Sequence, residues 1–339
     1  MKKSLAVVLM VSLLLSLVVG CSKKEEVATT EEPKQIVIKV GHIEAEDRST
    51  HRATLEFEKY VEEQSNGQID VQIYPNGQLG GDRQMTEAVA LGTIQMTMPS
   101  TSVLTTYDAK FGVLDMPFIF NNEQAGFNAL DGELGTKLND LLTPVGLHNF
   151  GYNYNGARHI SNNVRPINEP NDLKGIKMRV MESPVYIDLF KYLGANPTPM
   201  SFGEVFTGLQ QGTVDGQENA ASLVYATKFQ EVQKYYSLTG HSYGYLAVLI
   251  NDKFYKGLPE DIQKIVADGT KKYLIDYQRD IELKDTDLYI EKLKEAGMEI
   301  NTITPENHAK FVEALKPMYE KYKQEIGQDM FDLVAKYNE

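Results

Sequence analysis

The sequence predicts an α/β protein of two similarly built lobes followed by a helical brace, and three observations carry that expectation. Alternating apolar runs at Ile36/Ile38/Val40, Ile69/Val71/Ile73 and Ile94/Met96/Met98 are separated by helix-length amphipathic stretches, the pattern of a mostly parallel sheet. A similar order of elements begins again near Leu147, and Gly92-Thr93-Ile94-Gln95 has a counterpart in Gly212-Thr213-Val214-Asp215. From Pro259 to Ala296, and from Pro305 to Asn338, the chain is charged and poor in strand formers, which reads as long helices.

The N-terminus precedes this fold. Lys2 and Lys3 lead an uncharged, mostly apolar run from Leu5 to Val19. A spanning helix needs about 20 apolar residues, so the run matches the hydrophobic region of a secretory signal. It ends at Val18-Val19-Gly20-Cys21, where compact residues precede the one cysteine of the chain. This resembles a bacterial lipobox, which implies a signal peptide over 1–20 and a lipidated Cys21 anchoring the mature protein to a membrane. An ordinary cleaved signal and an uncleaved anchor are the alternatives. An acylated Cys21 leaves no thiol for a disulfide, a metal site or a nucleophile. Residues 21–34 are polar and charged, a flexible tether. Losing Lys2 and Lys3 takes the formal charge from −13 to −15, so the protein has no general attraction for nucleic acid. Positive charge for an anion must be local.

Within the first lobe, Ser49 or Thr50 is expected to cap a helix through Phe57 and Val61 that Asn66-Gly67 stops. Pro75-Asn76-Gly77 closes the second strand, and Asp82 is expected to cap a helix ending at Gly92. In the second lobe Ile176, Met178 and Val180 alternate as a strand. Ser183-Pro184 opens a helix and Gly194 closes it. Asn196 to Phe202 reads as an extended link between helices, Ser201-Phe202-Gly203-Glu204 as a capping box, and Asp215 to Asn219 as a polar segment after a strand. Thr304 caps the last helical region.

No nucleophile elbow, phosphate loop or dinucleotide fingerprint is present, and the six histidines form no i, i+3 or i, i+4 pair. Two arginines stand out. Arg158 follows Tyr154-Asn155-Gly156-Ala157, and Arg179 lies on the strand face opposite Ile176 and Met178. Arg179 either shares a solvent face with Lys177 or turns a planar fork, suited to a carboxylate, into a cleft. Phe202 is either a core side chain or a wall for a ligand. Tyr154, Asn155, Gln217 and Asn219 offer hydrogen bonds suited to hydroxyls.

Six segments in order, Tyr74 to Arg83, Asp115 to Phe120, Asn155 to Arg158, Leu173 to Arg179, Gly194 to Met200 and Asp215 to Asn219, resemble the DctP-type solute-binding subunit of TRAP transporters. The resemblance implies a two-lobed periplasmic-binding fold of the class II type, with central sheets, crossing strands and a long brace helix. Lobe I is expected over 35–155 plus 244–283, and lobe II over 156–243 plus 284–339. It further implies that Arg179 grips a ligand carboxylate, Asn219 bonds the same group, Arg158 assists and Phe202 packs on the ligand body. Variable loops add His42, Glu44, Asp82, Ser100, Glu218, His241 and Tyr243. Serine at position 100, where a sialic-acid binder of this family is expected to carry glutamate, argues against that ligand.

The implied partners are an organic acid anion, with a sugar acid ahead of a C4-dicarboxylate or 2-oxoacid, and the permease subunits of an ion-gradient-driven transporter. A monomer without cofactor, outside the cytoplasmic membrane, is expected. A receptor feeding a signalling kinase is the rival reading. An enzyme using Asp215, Glu218 or His241 is a third.

Overall fold

The structure, a computed structural model, describes residues 35–338. The expected signal peptide, Cys21 and the tether lie outside the described residues. In the first lobe β1 (Ile36–Gly41), α1 (Ser49–Gln64), β2 (Ile69–Tyr74), α2 (Asp82–Leu91) and β3 (Met96–Thr97) follow one another. The helices α3 (Glu123–Asp131) and α4 (Glu133–Asp140) then lead into β4 (Leu147–Asn162). The order recurs as β5 (Lys177–Val180), α5 (Pro184–Tyr192), β6 (Asn196–Pro199), α6 (Val205–Gln210) and β7 (Gly216–Asn219). After α7 (Ala221–Ala226) the chain returns along β8 (Tyr235–Asn251). Spatially, β2-β1-β3-β8 matches β6-β5-β7-β4 strand for strand, and β3 and β7 each run antiparallel to their long neighbour. The repeat seen at Gly92 and Gly212 is therefore structural. Both glycines take a left-handed φ, 79° and 69°, which favours a residue without Cβ.

The expected central sheets and crossing strands are present, and the crossing strands join the two halves. Strands β4 and β8 pair from Leu147↔Asn251 to Asn162↔Tyr235 and fuse both halves into one nine-stranded sheet, with β9 (Glu299–Thr302) beside β8. At about 3.3 Å per residue each crossing strand is long enough to serve both lobes. Its register shifts between Tyr154 and Gly156, so Asn155 sits at a bulge, a device that re-aims a side chain.

The helical tail begins with α8 (Asp252–Lys256) and α9 (Glu260–Gly269). The latter runs on through a π-helical stretch, Thr270–Tyr277, into α10 (Gln278–Glu295). Val266 and Leu274 pack with Phe57 and Val61 of the first lobe, whereas Tyr289 and Leu293 pack with Val205, Leu223 and Phe229 of the second. One helix thus shares the core of both lobes, which makes it the brace. Beyond it lie α11 (Pro305–Ile326), capped by Thr304 accepting the Asn307 N–H at 3.3 Å, and α12 (Gln328–Tyr337). No helix among the described residues is long and apolar enough to cross a membrane.

Five local expectations are corrected. Ser49 does not cap α1; Arg48 occupies that position, and the Ser49 hydroxyl instead donates to Glu282. Asp82 is the first residue of α2 after Gly81, and its carboxylate accepts the Ser100 N–H at 3.1 Å. The expected link at Asn196–Pro199 is strand β6, at the sheet edge, where proline is tolerated because one row of N–H groups needs no partner. Gly216–Asn219 is itself the strand β7. The capping box at Ser201 does not form: Ser201 makes no side-chain cap bond, and its hydroxyl donates to the Glu204 carboxylate at 2.5 Å, ahead of a short 3-10 turn over Phe202–Glu204.

Candidate functional site

A cleft lies between the lobes. Its first wall is the start of α2 (Gly81, Asp82, Arg83, Gln84) with Ile43, Ser100 and Val103. The crossing strands supply Asn155, Arg158 and Leu246, and the second lobe supplies Arg179, Met181, Glu182, Met200, Ser201, Phe202, Asn219 and Leu223. An adjoining space shares Ile43, Gly81 and Phe202 and widens past Gly77, Gly80 and Gly203. The lobes meet at the rim, where the Ser100 hydroxyl lies 3.5 Å from the Met181 sulfur.

Of the seven sequence-predicted residues that reach this cleft, Arg179 is the most informative. It is 3% exposed, so it does not share the solvent face of Lys177. Its Nε and Nη2 donate to the Met200 carbonyl at 3.0 and 2.8 Å, a bond available because β6 delivers Met200 beside β5. Nη1 has no protein acceptor among the described residues. The other buried arginines, Arg48, Arg158 and Arg279, each pair with a carboxylate. Arg179 pairs with none among the described residues. Burial without a counter-ion pulls its guanidinium down to about 10, since desolvation penalises the charged form.

Arg158 is differently placed. Its Nε and Nη2 take both carboxylate oxygens of Glu218 at 2.5 and 2.8 Å. Burial opposes ionisation of Glu218, yet the Arg158 charge and bonds from His241 and Arg158 bring it down to about 2. His241 holds the pair from behind, Nε2 3.3 Å from Glu218 and Nδ1 2.9 Å from the Thr239 hydroxyl. Only Nη1 of Arg158 remains for the cleft.

Asn219 ends β7, where its amide donates to Gln217 Oε1 at 2.6 Å, and Gln217 in turn donates to Ser161 at 2.8 Å. Phe202 is half-buried against Phe229. Across the cleft, Asp82 Oδ1 is enclosed and has no partner among the described residues. Burial, with Glu44 nearby, pushes this carboxyl up to about 7, against the Ser100 bond and the Arg179 charge.

The remaining predicted residues do not line the cleft. Tyr154 is in the core with Phe127, Tyr243 and Tyr245 around it, because the residue before the bulge points to the opposite face of β4. Gln217 and Glu218 are spent on Asn219 and Arg158. His42 pairs with His51 at 3.2 Å, and burial holds it down at about 3. Glu44 pairs with Arg48 at 2.8 Å. Arg48 itself was missed in the sequence. Its partners Asn155, Ser222 and Glu282 are too distant along the chain to signal it.

The arrangement is a desolvated cation opposite an acceptor, in a cleft bounded by two lobes. Among the described residues no three His, Cys, Asp or Glu side chains are grouped to hold a metal ion. The family model described as bacterial extracellular solute-binding protein, family 7 (DctP), matches residues 40–325. The chain is 34% identical over 309 residues to the C4-dicarboxylate-binding periplasmic protein DctP of Vibrio cholerae, covering 91% of this chain and 92% of that one. It is 36% identical over 265 residues to the 2,3-diketo-L-gulonate-binding periplasmic protein YiaO of Escherichia coli, covering 78% and 80%. The crystal structure of the sugar acid binding protein DctPAm of Advenella mimigardefordensis in complex with galactonate superposes with a TM-score of 0.87 at 34% identity, covering 90% of this chain and 100% of that one.

Proposed function

The chain belongs to the DctP family of bacterial extracellular solute-binding proteins, the binding subunits of TRAP transporters, and from that premise we propose that it captures a hydroxylated monocarboxylate. A sugar acid such as an aldonate or uronate is the ligand class. One observation carries the reading: Arg179 is the buried arginine without a carboxylate partner among the described residues. A buried unpaired cation is costly, and a ligand carboxylate bonded by its planar fork relieves that cost. Asn219 supplies its second amide N–H to the same group, Arg158 Nη1 assists, and Phe202 covers the ligand body.

The charge balance favours hydroxyls over a second carboxylate. Arg158 is neutralised by Glu218, and Arg83 is exposed and paired with Glu87. The other charged groups on the walls are Asp82 and Glu182. Asp82 Oδ1 suits a hydroxyl donor. The galactonate and diketogulonate named for two relatives have the expected chemistry, a carboxylate with oxygenated carbons behind it.

Lobe I (35–155 plus 244–283) and lobe II (156–243 plus 284–339) close on the ligand, which favours the closed state only by its differential affinity for it. The closed form delivers the acid to the membrane subunits of an ion-gradient-driven permease. The lipidated Cys21 holds the protein outside the cytoplasmic membrane. A thermal-shift screen of aldonates, uronates, C4-dicarboxylates, 2-oxoacids, neutral sugars and amino acids tests the class, since a ligand of the native state raises Tm. Arg179→Lys keeps charge and loses the fork, and is expected to cost about 2–5 kcal/mol of binding, as for a broken desolvated pair. Shifts with neutral sugars or amino acids alone, or an unchanged Kd in Arg179→Lys, would overturn the reading.

A further inference from the structure

Behind the cleft wall sits a fully buried arginine whose guanidinium hydrogen bonds all go to side chains. Arg48 Nε donates to Glu44 at 2.8 Å, Nη1 to Glu282 at 3.0 Å and to Ser222, and Nη2 to Asn155 Oδ1. These partners come from the β1–α1 loop, the brace helix α10, α7 of the second lobe and the bulge of β4. Ser222 and Ser49 add bonds to Glu282, so the guanidinium is fixed from several sides.

A guanidinium carries donors and no acceptor. The Asn155 atom that it touches must therefore be the amide oxygen, and the NH2 group must face away. Asn155 lines the cleft. Its Nδ2 has no protein acceptor among the described residues, and it is absent from the enclosed, unpartnered atoms there. It is open to the cleft.

We infer that Arg48 is a positioning residue of the binding site, which locks the Asn155 amide so that its NH2 group is presented to a carboxylate or hydroxyl oxygen of the bound acid. The inference rests on the proposed binding of an organic acid in this cleft. It makes Asn155 a fixed donor in a site where Asp82 is an acceptor, so the ligand must offer an acceptor to one wall and a donor to the other. It also joins that donor, through Glu282 and Ser222, to the brace and the second lobe. The donor is then correctly aimed only when these elements are in the arrangement described.

Titration calorimetry with galactonate as probe tests this. Asn155→Asp keeps the acceptor for Arg48 and replaces the NH2 group with a carboxylate oxygen. It is expected to weaken galactonate at least about 100-fold, the loss of a donor compounded by charge repulsion. Arg48→Lys keeps the charge but cannot reach all four partners, and is expected to weaken binding about tenfold or more. In an Asn155→Ala background the same Arg48→Lys change should cost less than about twofold, because the group it aims is gone. A merely structural arginine would produce equal losses in both backgrounds, and that result, or Asn155→Asp binding within about twofold of wild type, overturns the inference. Should Arg48→Lys fail to fold, Asn155→Asp decides alone. Absence of any acid binding by the wild type overturns the underlying reading as well, whereas wild-type binding with insensitive variants overturns only the role of Arg48.

Discussion

Glu218 holds Arg158 through two parallel bonds, 2.5 Å to Nε and 2.8 Å to Nη2, with neither group exposed. The pair divides labour between two arginines that the sequence presents alike. One is neutralised within the protein, and the other has no carboxylate partner among the described residues. Glu218→Gln preserves shape but strands the Arg158 charge in the core. It is expected to cost about 3–5 kcal/mol, as for a broken buried pair. Urea unfolding of the ligand-free protein measures it, and a loss under about 1 kcal/mol would mean that water reaches Arg158. The pH dependence has a definite sign. Because the folded carboxyl is held at about 2, below its ordinary 4.5, its contribution is present above the unfolded value and lost as pH falls through the folded one.

Asp82 has the opposite sign. Its folded carboxyl is raised from 3.8 to about 7, so the native state holds a proton that the unfolded chain releases. Stability from this group is complete below the unfolded value and lost as pH rises to about 7. Asp82→Asn removes the titration. The variant should gain on wild type as pH goes from about 4.5 to 7.5, by an amount on the order of a few kcal/mol. His42 is depressed to about 3 and Asp115 raised to about 6, so the comparison must be variant against wild type at each pH. Parallel stability curves would place the proton elsewhere.

Gly156 follows the β4 bulge at φ 101°, and a Cβ there would lie 2.5 Å from the Ala220 Cβ and 3.3 Å from Glu282. Gly156→Ala is expected to lower stability by about 1–3 kcal/mol for the backbone alone, with the clash in addition. Gly212→Ala is the control, since φ is 69° there but nothing lies within 4 Å. Thermal unfolding of the two variants side by side separates conformational strain from close packing. Equal shifts would show that Ala220 moves aside without cost.

What the sequence disclosed depended on the range of the interaction that decides each feature. Strands β1 and β2 were legible because alternation at Ile36/Ile38/Val40 and Ile69/Val71/Ile73 is local. The Thr304 cap and the matched glycines at 92 and 212 were legible for the same reason. Strand β6 was not, because two prolines read as a linker unless the strand is known to lie at an edge. The fusion into one sheet depends on β4 pairing with β8 across more than seventy residues, which no local pattern encodes. The site divided likewise. Arg179 and Asn219 were singled out through motif resemblance, and the structure sets both on the cleft lining. Glu218 was expected to touch ligand, yet the β4–β7 register, His159↔Asn219 and Ile160↔Glu218, sets it beside Arg158. Arg48 gave no signal at all.

Selectivity between acids gives the last test. A C4-dicarboxylate held at Arg179 points its second carboxylate across the cleft, toward the α2 wall, where Asp82 lies and Arg83 is exposed and paired with Glu87. Above pH 7, where the Asp82 carboxyl has lost its proton, like charges about 5 Å apart repel by roughly 3 kcal/mol even at an effective dielectric near 20. A ligand hydroxyl at the same place instead gains a hydrogen bond to an ionised acceptor, worth about 1.5–3 kcal/mol. Wild type should therefore prefer galactonate to succinate by at least two orders of magnitude, a factor of about 100 for each 2.8 kcal/mol. Asp82→Asn removes the repulsion and weakens the acceptor, so it should bind galactonate less tightly and succinate more tightly. The two Kd values must move in opposite directions. If they fall together, Asp82 acts on the shape of the cleft; if succinate already binds more tightly to wild type, a second carboxylate finds a cation in this site, and the sugar-acid assignment is wrong.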